Sequence, residues 1–296
     1  MSTEDRLRRF LFEDAPVRGH WVRLSRSWIE AREHQQLPLP ALQLLGEALA
    51  AASLLSASLK FTGTLTLQLS GSAGPVSMLV AQATDTRTLR GVAHVVDEAA
   101  AATADFSSLI SGGRLVVSVE QGGGASPWQG VVPLEAASLA SSLENYFAAS
   151  EQLPTLIVLA ADETRAGGLL LQKLPQGSQD PAVIQDQWDE VAALVGTVGA
   201  QELLTAEPEQ LLGNLFAGHD VRLFEGEPVQ FGCRCDRERV AAMLRGLGRE
   251  EVESIITEQG QVSVTCEFCR RPYIFDAVDA ARLFLPAVEP ENPSLN

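Results

Sequence analysis

The sequence predicts an α+β fold with three parts: a mixed sheet and helix N-terminal core domain, an acidic helical linker and a small α/β C-terminal domain. Three observations support this prediction: alternating apolar residues early in the chain, a later acidic stretch with helical apolar spacing, and four cysteines in two short motifs. A length of 296 residues favours about two globular domains. We place the core domain at residues 1–178, the linker at 179–230, the C-terminal domain at 231–287 and a disordered tail at 288–296.

The core-domain prediction depends on strand patterns that begin at Phe61. Leu65, Leu67 and Leu69 alternate with polar residues, which is typical of a half-buried strand. Before them, residues 7–60 predict a short strand, a helix and a long helix of small residues. The later elements are predicted as strands over 74–84 and 88–96, a hairpin over 112–134 with its loop at Gly122–Gly124, a helix over 138–154, and strands over 155–163 and 167–175.

The linker prediction depends on charge and on apolar spacing together. Residues 180–230 contain ten acidic residues and one basic residue, Arg222. Apolar residues nevertheless recur at helical intervals, which indicates a packed segment and not a flexible chain. We interpret the segment as acidic helices docked on the core through these residues, with like-charge repulsion limiting the stability of docking. The apolar positions are Val183, Trp188, Val191, Leu194, Val195, Leu203, Leu204, Leu211, Leu212, Leu215 and Phe216.

Composition argues against several partners and locations. The formal net charge is −16 and the isoelectric point is about 4.7, so we expect neither nucleic acid nor an anionic membrane as a partner. The N-terminus is charged from residue 4 and lacks the apolar core of a secretory signal. The most apolar stretch, Ala41–Lys60, contains Glu47 and is predicted to be a buried core helix. We therefore expect a cytoplasmic protein.

The four cysteines form a C-x-C pair, Cys233 and Cys235, and a C-x-x-C pair, Cys266 and Cys269. Two such pairs in a cytoplasmic protein are typical of a tetrahedral site with four thiolate ligands for one Zn²⁺. The surrounding domain has about 55 ordered residues, and a domain this small seldom folds on its apolar core alone. We predict helices over 237–248, 249–260 and 277–284 and a strand, turn and strand over 261–276.

The C-x-C spacing also permits redox chemistry. Residues i and i+2 of an extended chain point to the same face, with Cα atoms roughly 6.5–7 Å apart. That separation lies at the upper edge of disulfide geometry, so a bond between Cys233 and Cys235 would be easily reduced. Arginines outnumber acidic residues beside the thiols and favour the reactive thiolate. From the spacing alone, a purely structural zinc site and a redox-active one both remain open.

Energetics connect metal loss to exposure of apolar surface. Structural zinc contributes on the order of 10–16 kcal/mol in small zinc-finger peptides, while a whole domain is stable by only about 5–15 kcal/mol. Oxidising the ligands should therefore unfold the domain that contains them. The linker would then lose support, and the leucine-rich residues with the core surface beneath them would become exposed and bind other apolar surfaces.

The chain as a whole resembles the redox-regulated heat-shock holdase family, also called the thirty-three-kilodalton chaperonin family. The resemblance covers residues 7–285. It includes "FLFEDAPVRGHWVRL", "LLGEALAAASLLSASLKFTGTLTLQLSGSAGPV", "LRGVAHV", "SSLENYFAASEQLPT", "AGGLLLQKLP" and the two cysteine motifs followed by "RRPYIFD". It implies an ATP-independent chaperone that is inactive when reduced and bound to zinc.

The same resemblance implies a mechanism of activation. Oxidation is expected to form Cys233–Cys235 and Cys266–Cys269 disulfides, release zinc, and unfold the C-terminal domain and linker. The active form, commonly a homodimer, is expected to bind unfolding client proteins and later pass them to ATP-dependent foldases.

Two other functions compete with this one. A thiol-disulfide oxidoreductase is disfavoured because "CEFC" follows a predicted strand and does not open a helix in a βαβ unit. No hydrolase triad or phosphate loop is apparent, so we predict no enzyme and no catalytic residues. A structural zinc ribbon that binds a fixed partner is permitted by the arginines but opposed, for nucleic acid, by the net charge.

Overall fold

In the computed structural model the chain divides into two compact units, residues 1–232 and residues 233–296. The structure describes residues 5–121, 128–175 and 180–285. The first unit contains the residues of the proposed linker as well as the core. The boundaries placed at 178 and 230 therefore stay a prediction, and the predicted Gly122–Gly124 loop and 288–296 tail lie outside the described residues.

Two sheets form the first unit. A five-stranded antiparallel sheet has the order β10-β1-β2-β9-β8, and a six-stranded sheet has the order β11-β5-β4-β3-β6-β7, in which only the β11–β5 pair is parallel. The strands are β1 (Arg6–Phe12), β2 (Val17–Leu24), β3 (Gly63–Ser70), β4 (Val76–Thr84), β5 (Thr88–Val95), β6 (Arg114–Gln121), β7 (Trp128–Pro133), β8 (Thr155–Ala161), β9 (Ala166–Lys173), β10 (Val221–Pro228) and β11 (Gln230–Phe231).

Helices of the first unit pack against strands of both sheets. They are α1 (Arg26–Arg32), α2 (Leu39–Ser58), α3 (Glu98–Ala101), α4 (Phe106–Leu109), α5 (Leu139–Tyr146) with a following π-helical turn (Phe147–Glu151), α6 (Pro181–Val195), α7 (Ala200–Thr205) and α8 (Pro208–Leu215). Helix α2 packs against strands of both sheets, so its small residues are buried on nearly every side. Among the described residues it is the one helix long and apolar enough to span a membrane, and 78% of that apolar window is buried. This burial confirms the core-helix interpretation.

The outer face of the five-stranded sheet is covered by α6, α7 and α8. Trp188 and Val191 of α6, with Leu204 of α7, join Phe10 and Trp21 of the sheet in one buried cluster. The predicted docking of the acidic helices through their apolar residues is therefore confirmed, except at Val183. Val183 was predicted to take part but is 49% exposed, because the neighbouring Ile184 takes the buried position in that turn of α6. This layer shields an apolar sheet face from solvent.

Two sequence predictions for the first unit were wrong. The N-terminal region was predicted to hold one strand, but β1 and β2 form an antiparallel pair there, with Arg9 opposite His20. The segment 180–230 was predicted to be helical throughout, but β10 pairs with the edge of β1. An open sheet edge exposes unpaired backbone groups, and pairing satisfies them whatever the local helical preference.

The second unit follows the predicted order of elements. These are α9 (Arg237–Leu247), α10 (Arg249–Gln259), β12 (Val262–Thr265), β13 (Pro272–Phe275) and α11 (Ala277–Leu283), with β12 and β13 antiparallel. The buried apolar cluster of this unit contains only eight of the described residues, among them Leu244, Val252 and Phe275. An apolar core of this size favours an additional source of stability.

Candidate metal and redox centre

The two cysteine motifs are positioned by different local structures. Cys233 and Cys235 directly precede α9, whose first turn is capped by Asp236 accepting a hydrogen bond from the Arg239 amide at 2.7 Å. Cys266 and Cys269 lie in the turn between β12 and β13. The Cys266 amide donates to the Arg271 carbonyl, and the Arg270 amide donates back to the Cys266 carbonyl at 2.8 Å. These bonds hold the second motif in a tight knuckle.

The structure brings all four cysteines to one place. Their sulfur atoms all lie within 4.8 Å of one another, and each side chain is partly buried. Two close contacts join different motifs: Cys233 Sγ to Cys266 Sγ at 3.5 Å and Cys235 Sγ to Cys269 Sγ at 3.3 Å. A tetrahedral ion with Zn–S bonds of about 2.3 Å would separate its sulfurs by about 3.8 Å. The four donors therefore fit a metal site by number, chemistry and spacing.

The thiols differ in their readiness to ionise. Burial raises the pKa of Cys233, but hydrogen bonds from the Cys235 amide and from the other three thiols outweigh it and bring that pKa to about 7. Burial, together with the neighbouring sulfurs, raises the pKa of Cys266 and brings that of Cys269 to about 12. Four adjacent thiolates repel one another, so full ionisation requires a bound cation.

Tyr273 is a site residue that the sequence interpretation did not single out. Its hydroxyl donates a hydrogen bond to Cys235 Sγ at 3.1 Å, and its ring belongs to the small apolar cluster of the second unit. Such outer contacts orient ligands and tune a metal site. The signal available in sequence was an aromatic residue four positions after the last cysteine of the C-x-x-C motif.

The arginines near the motifs have separate tasks. Arg237 pairs with Asp279 at 2.6 Å and lies over the Phe275 ring at 4.2 Å, which joins α9 to α11 and β13. Arg239 pairs with Asp236 and donates to the Arg234 carbonyl. The Arg271 guanidinium hydrogen-bonds Tyr273 and interacts electrostatically with Cys235 and Cys269, which raises the pKa of Arg271. Arg271 thus supplies positive charge to the thiols, while Arg237 and Arg239 stabilise the backbone around them.

Comparison with known proteins identifies the family. The family model described as "Hsp33 protein" matches residues 5–276. The chain belongs to the Hsp33 family. A relative of this Hsp33 chain, the 33 kDa chaperonin of Nitrosococcus oceani, is 46% identical over 291 residues, covering 98% of this chain and 97% of the relative. The 33 kDa chaperonin of Ectopseudomonas mendocina is 44% identical over 281 residues, covering 94% and 95% of the two chains.

A solved structure agrees with this assignment. The crystal structure of the 33 kDa chaperonin from Thermotoga maritima superposes on this Hsp33 chain with a TM-score of 0.80 at 27% identity, covering 94% of this chain and 97% of the other. The predicted family and the predicted α+β fold class are confirmed. This Hsp33 protein is a molecular chaperone and binds unfolded proteins.

Proposed function

We propose that this Hsp33 protein is an ATP-independent holdase controlled by a zinc-dependent redox switch. The observation that carries the proposal is the gathering of four sulfurs within 4.8 Å in a unit whose apolar cluster has only eight of the described residues. A unit with so little apolar core depends on its metal, and a metal held only by thiols depends on their oxidation state.

In the reduced protein, Cys233, Cys235, Cys266 and Cys269 hold one Zn²⁺ per chain. A zinc ion supplies charge neutralisation and a fixed crosslink among four thiolates, without redox chemistry of its own. The pKa of Cys233, about 7, places one thiol ready to ionise near neutral pH. The other three ionise as the ion binds and displaces their protons.

Oxidation removes these ligands. Within each motif two thiolates give two electrons to hydrogen peroxide, which takes up two protons and leaves as two water molecules, and a sulfur–sulfur bond forms. The products are the Cys233–Cys235 and Cys266–Cys269 disulfides. Disulfide sulfurs no longer bind the ion as thiolates do, so the second unit loses its crosslink and unfolds.

Unfolding then spreads to the linker. The strongly acidic linker ends at Gln230, only three residues before Cys233. Release of α6, α7 and α8 would uncover the sheet face formed by Phe10, Trp21 and their neighbours. That face would capture apolar segments of unfolding clients.

Further properties follow from the family resemblance and belong to the same proposal. The oxidised protein acts as a homodimer, carries out no catalytic turnover, and resides in the cytoplasm. Clients are transferred to ATP-dependent foldases after reduction. The acidic surface disfavours nucleic acid and anionic membranes as partners.

One experiment tests the switch with three readouts: zinc release, free thiols and suppression of client aggregation, before and after peroxide with mild heating. We expect zinc release and thiol loss to coincide with the gain of client protection. A Cys233→Ser variant should bind zinc weakly and protect clients with less oxidant. Equal protection by reduced and oxidised protein would contradict the proposal.

A further inference from the structure

The linker does more than cover the apolar face of the five-stranded sheet. One part of it, residues 203–212, also carries negative charge that pairs with arginines of that face. Leu203 and Leu204 at one end, and Leu211 and Leu212 at the other, are buried in the cluster on the five-stranded sheet. Between these leucine pairs the chain is acidic, with the sequence "TAEPEQ". The segment 203–212 is therefore apolar at both ends and acidic in the middle.

Arg23 of β2 binds this acidic middle in two ways. Its Nη2 lies 3.0 Å from Glu207 Oε1, and its Nη1 donates to the Ala206 carbonyl at 3.1 Å. The guanidinium also lies over the Trp21 ring, 5.2 Å from its centre. Trp21 belongs to the apolar sheet face that the linker covers, so Arg23 contacts both this face and the Glu207 carboxylate.

Two further arginines stand around the same segment. Arg8 of β1 pairs with Glu209, and Arg165, directly before β9, donates to the Leu204 carbonyl at 3.2 Å. The side chains of Arg8 and Arg23 are only 18% and 13% exposed, while those of Glu209 and Glu207 are 63% and 59% exposed. The two arginines are thus mostly buried in the sheet face, while the two glutamates that pair with them are mostly exposed to solvent.

We propose that this face, once uncovered, selects client segments in which acidic residues lie between apolar clusters, and that residues 203–212 occupy it as an intramolecular mimic of such a client. The proposal rests on the redox function above and names the client class. The apolar sheet face alone would bind any apolar segment. Guanidinium groups that an occupant buries without pairing them to a carboxylate are unfavourable, so Arg8 and Arg23 favour an acidic occupant over a neutral or basic one.

A pair of peptides tests this selectivity. The first has the sequence of residues 200–216, "AQELLTAEPEQLLGNLF". The second carries Glu207→Gln and Glu209→Gln and keeps every apolar residue. Fluorescence anisotropy of labelled peptides measures their affinity for the oxidised full-length protein. We expect the second peptide to bind about three- to tenfold more weakly, and the difference to shrink at high salt.

Arginine variants distinguish recognition of charge from non-specific hydrophobic binding. A variant with both Arg8→Gln and Arg23→Gln should bind the two peptides alike, because it has lost both guanidinium groups that pair with Glu209 and Glu207. The matched control is Arg26→Gln, since Arg26 is 85% exposed and pairs only with Glu30 of its own helix among the described residues. This control should discriminate as the unaltered protein does.

The outcomes distinguish this inference from the redox function. Equal affinity for the two peptides, or no binding of the first, overturns the inference. If peroxide-dependent client protection is present in the same samples, the redox function stands while the inference fails. If that protection is absent as well, both fail.

Discussion

The hydroxyl of Tyr273 donates a hydrogen bond to the sulfur of Cys235, with 3.1 Å between oxygen and sulfur. A donor to a thiolate delocalises its charge and fixes its orientation, so this bond should strengthen metal binding and slow oxidation. We predict that Tyr273→Phe weakens zinc affinity roughly tenfold and releases zinc at lower peroxide. Competition with a chromogenic chelator measures the affinity. Unchanged affinity and unchanged peroxide sensitivity would show that the bond has no such role.

The disulfide pairing can be determined by peptide mapping. In the structure close sulfur contacts run between the motifs, yet oxidation is proposed to join cysteines within each motif. Trypsin cuts after Arg234 and a glutamate-specific protease cuts after Glu267, so digestion separates the two members of each motif. We expect mass spectrometry of the oxidised protein to find Cys233 joined to Cys235 and Cys266 joined to Cys269. Pairs across the motifs would contradict the proposed switch.

Sequence patterns predicted an element correctly where one regular spacing of residues, such as the alternation of a strand, is clear. Leu65, Leu67 and Leu69 predicted β3 because they alternate with polar residues along that strand, and the fixed cysteine spacings predicted a shared site. Strand β2 was missed because it is largely buried on both faces and so lacks alternation. Strand β10 was missed because its pairing partner, β1, is more than 200 residues away in sequence. The contact of Tyr273 with Cys235 likewise arises only in three dimensions.

A matched pair of valines on α6 tests how the linker is held. Val191 is fully buried against the sheet, while Val183 on the same helix is 49% exposed. We predict that Val191→Ala destabilises linker docking by about 2 kcal/mol. Amide protection across 180–228 should fall, and client protection should begin at lower peroxide. The control, Val183→Ala, should resemble the unaltered protein, and a similar effect in both variants would argue against docking through this face.

Glu47 makes the stability of the first unit depend on pH. It lies in the buried helix α2, and burial raises its pKa from 4.5 to about 7. The folded state therefore retains a proton that the unfolded state loses, so this group lowers stability as pH rises from about 4.5 to 7. The loss is complete above pH 7 and on the order of 3 kcal/mol.

Replacement of Glu47 should remove this dependence. We predict that Glu47→Gln raises the free energy of unfolding of the reduced, zinc-loaded protein at pH 8 and changes it little at pH 4.5. Urea unfolding followed by circular dichroism measures both values. Glu33→Gln, at an exposed position after α1, is the control and should have little effect at either pH. An equal effect of Glu47→Gln at both pH values would show that the carboxyl titrates normally.

The most direct test of the central claim is hydrogen exchange of residues 233–285 before and after zinc is removed from the fully reduced protein. Because the cysteines then stay as thiols, any change comes from the metal alone. We expect amides in α9, β12 and β13 to lose their protection without zinc and to regain it when zinc is restored. Protection that persists in the metal-free protein, or a reduced protein that contains no zinc as purified, would contradict the account.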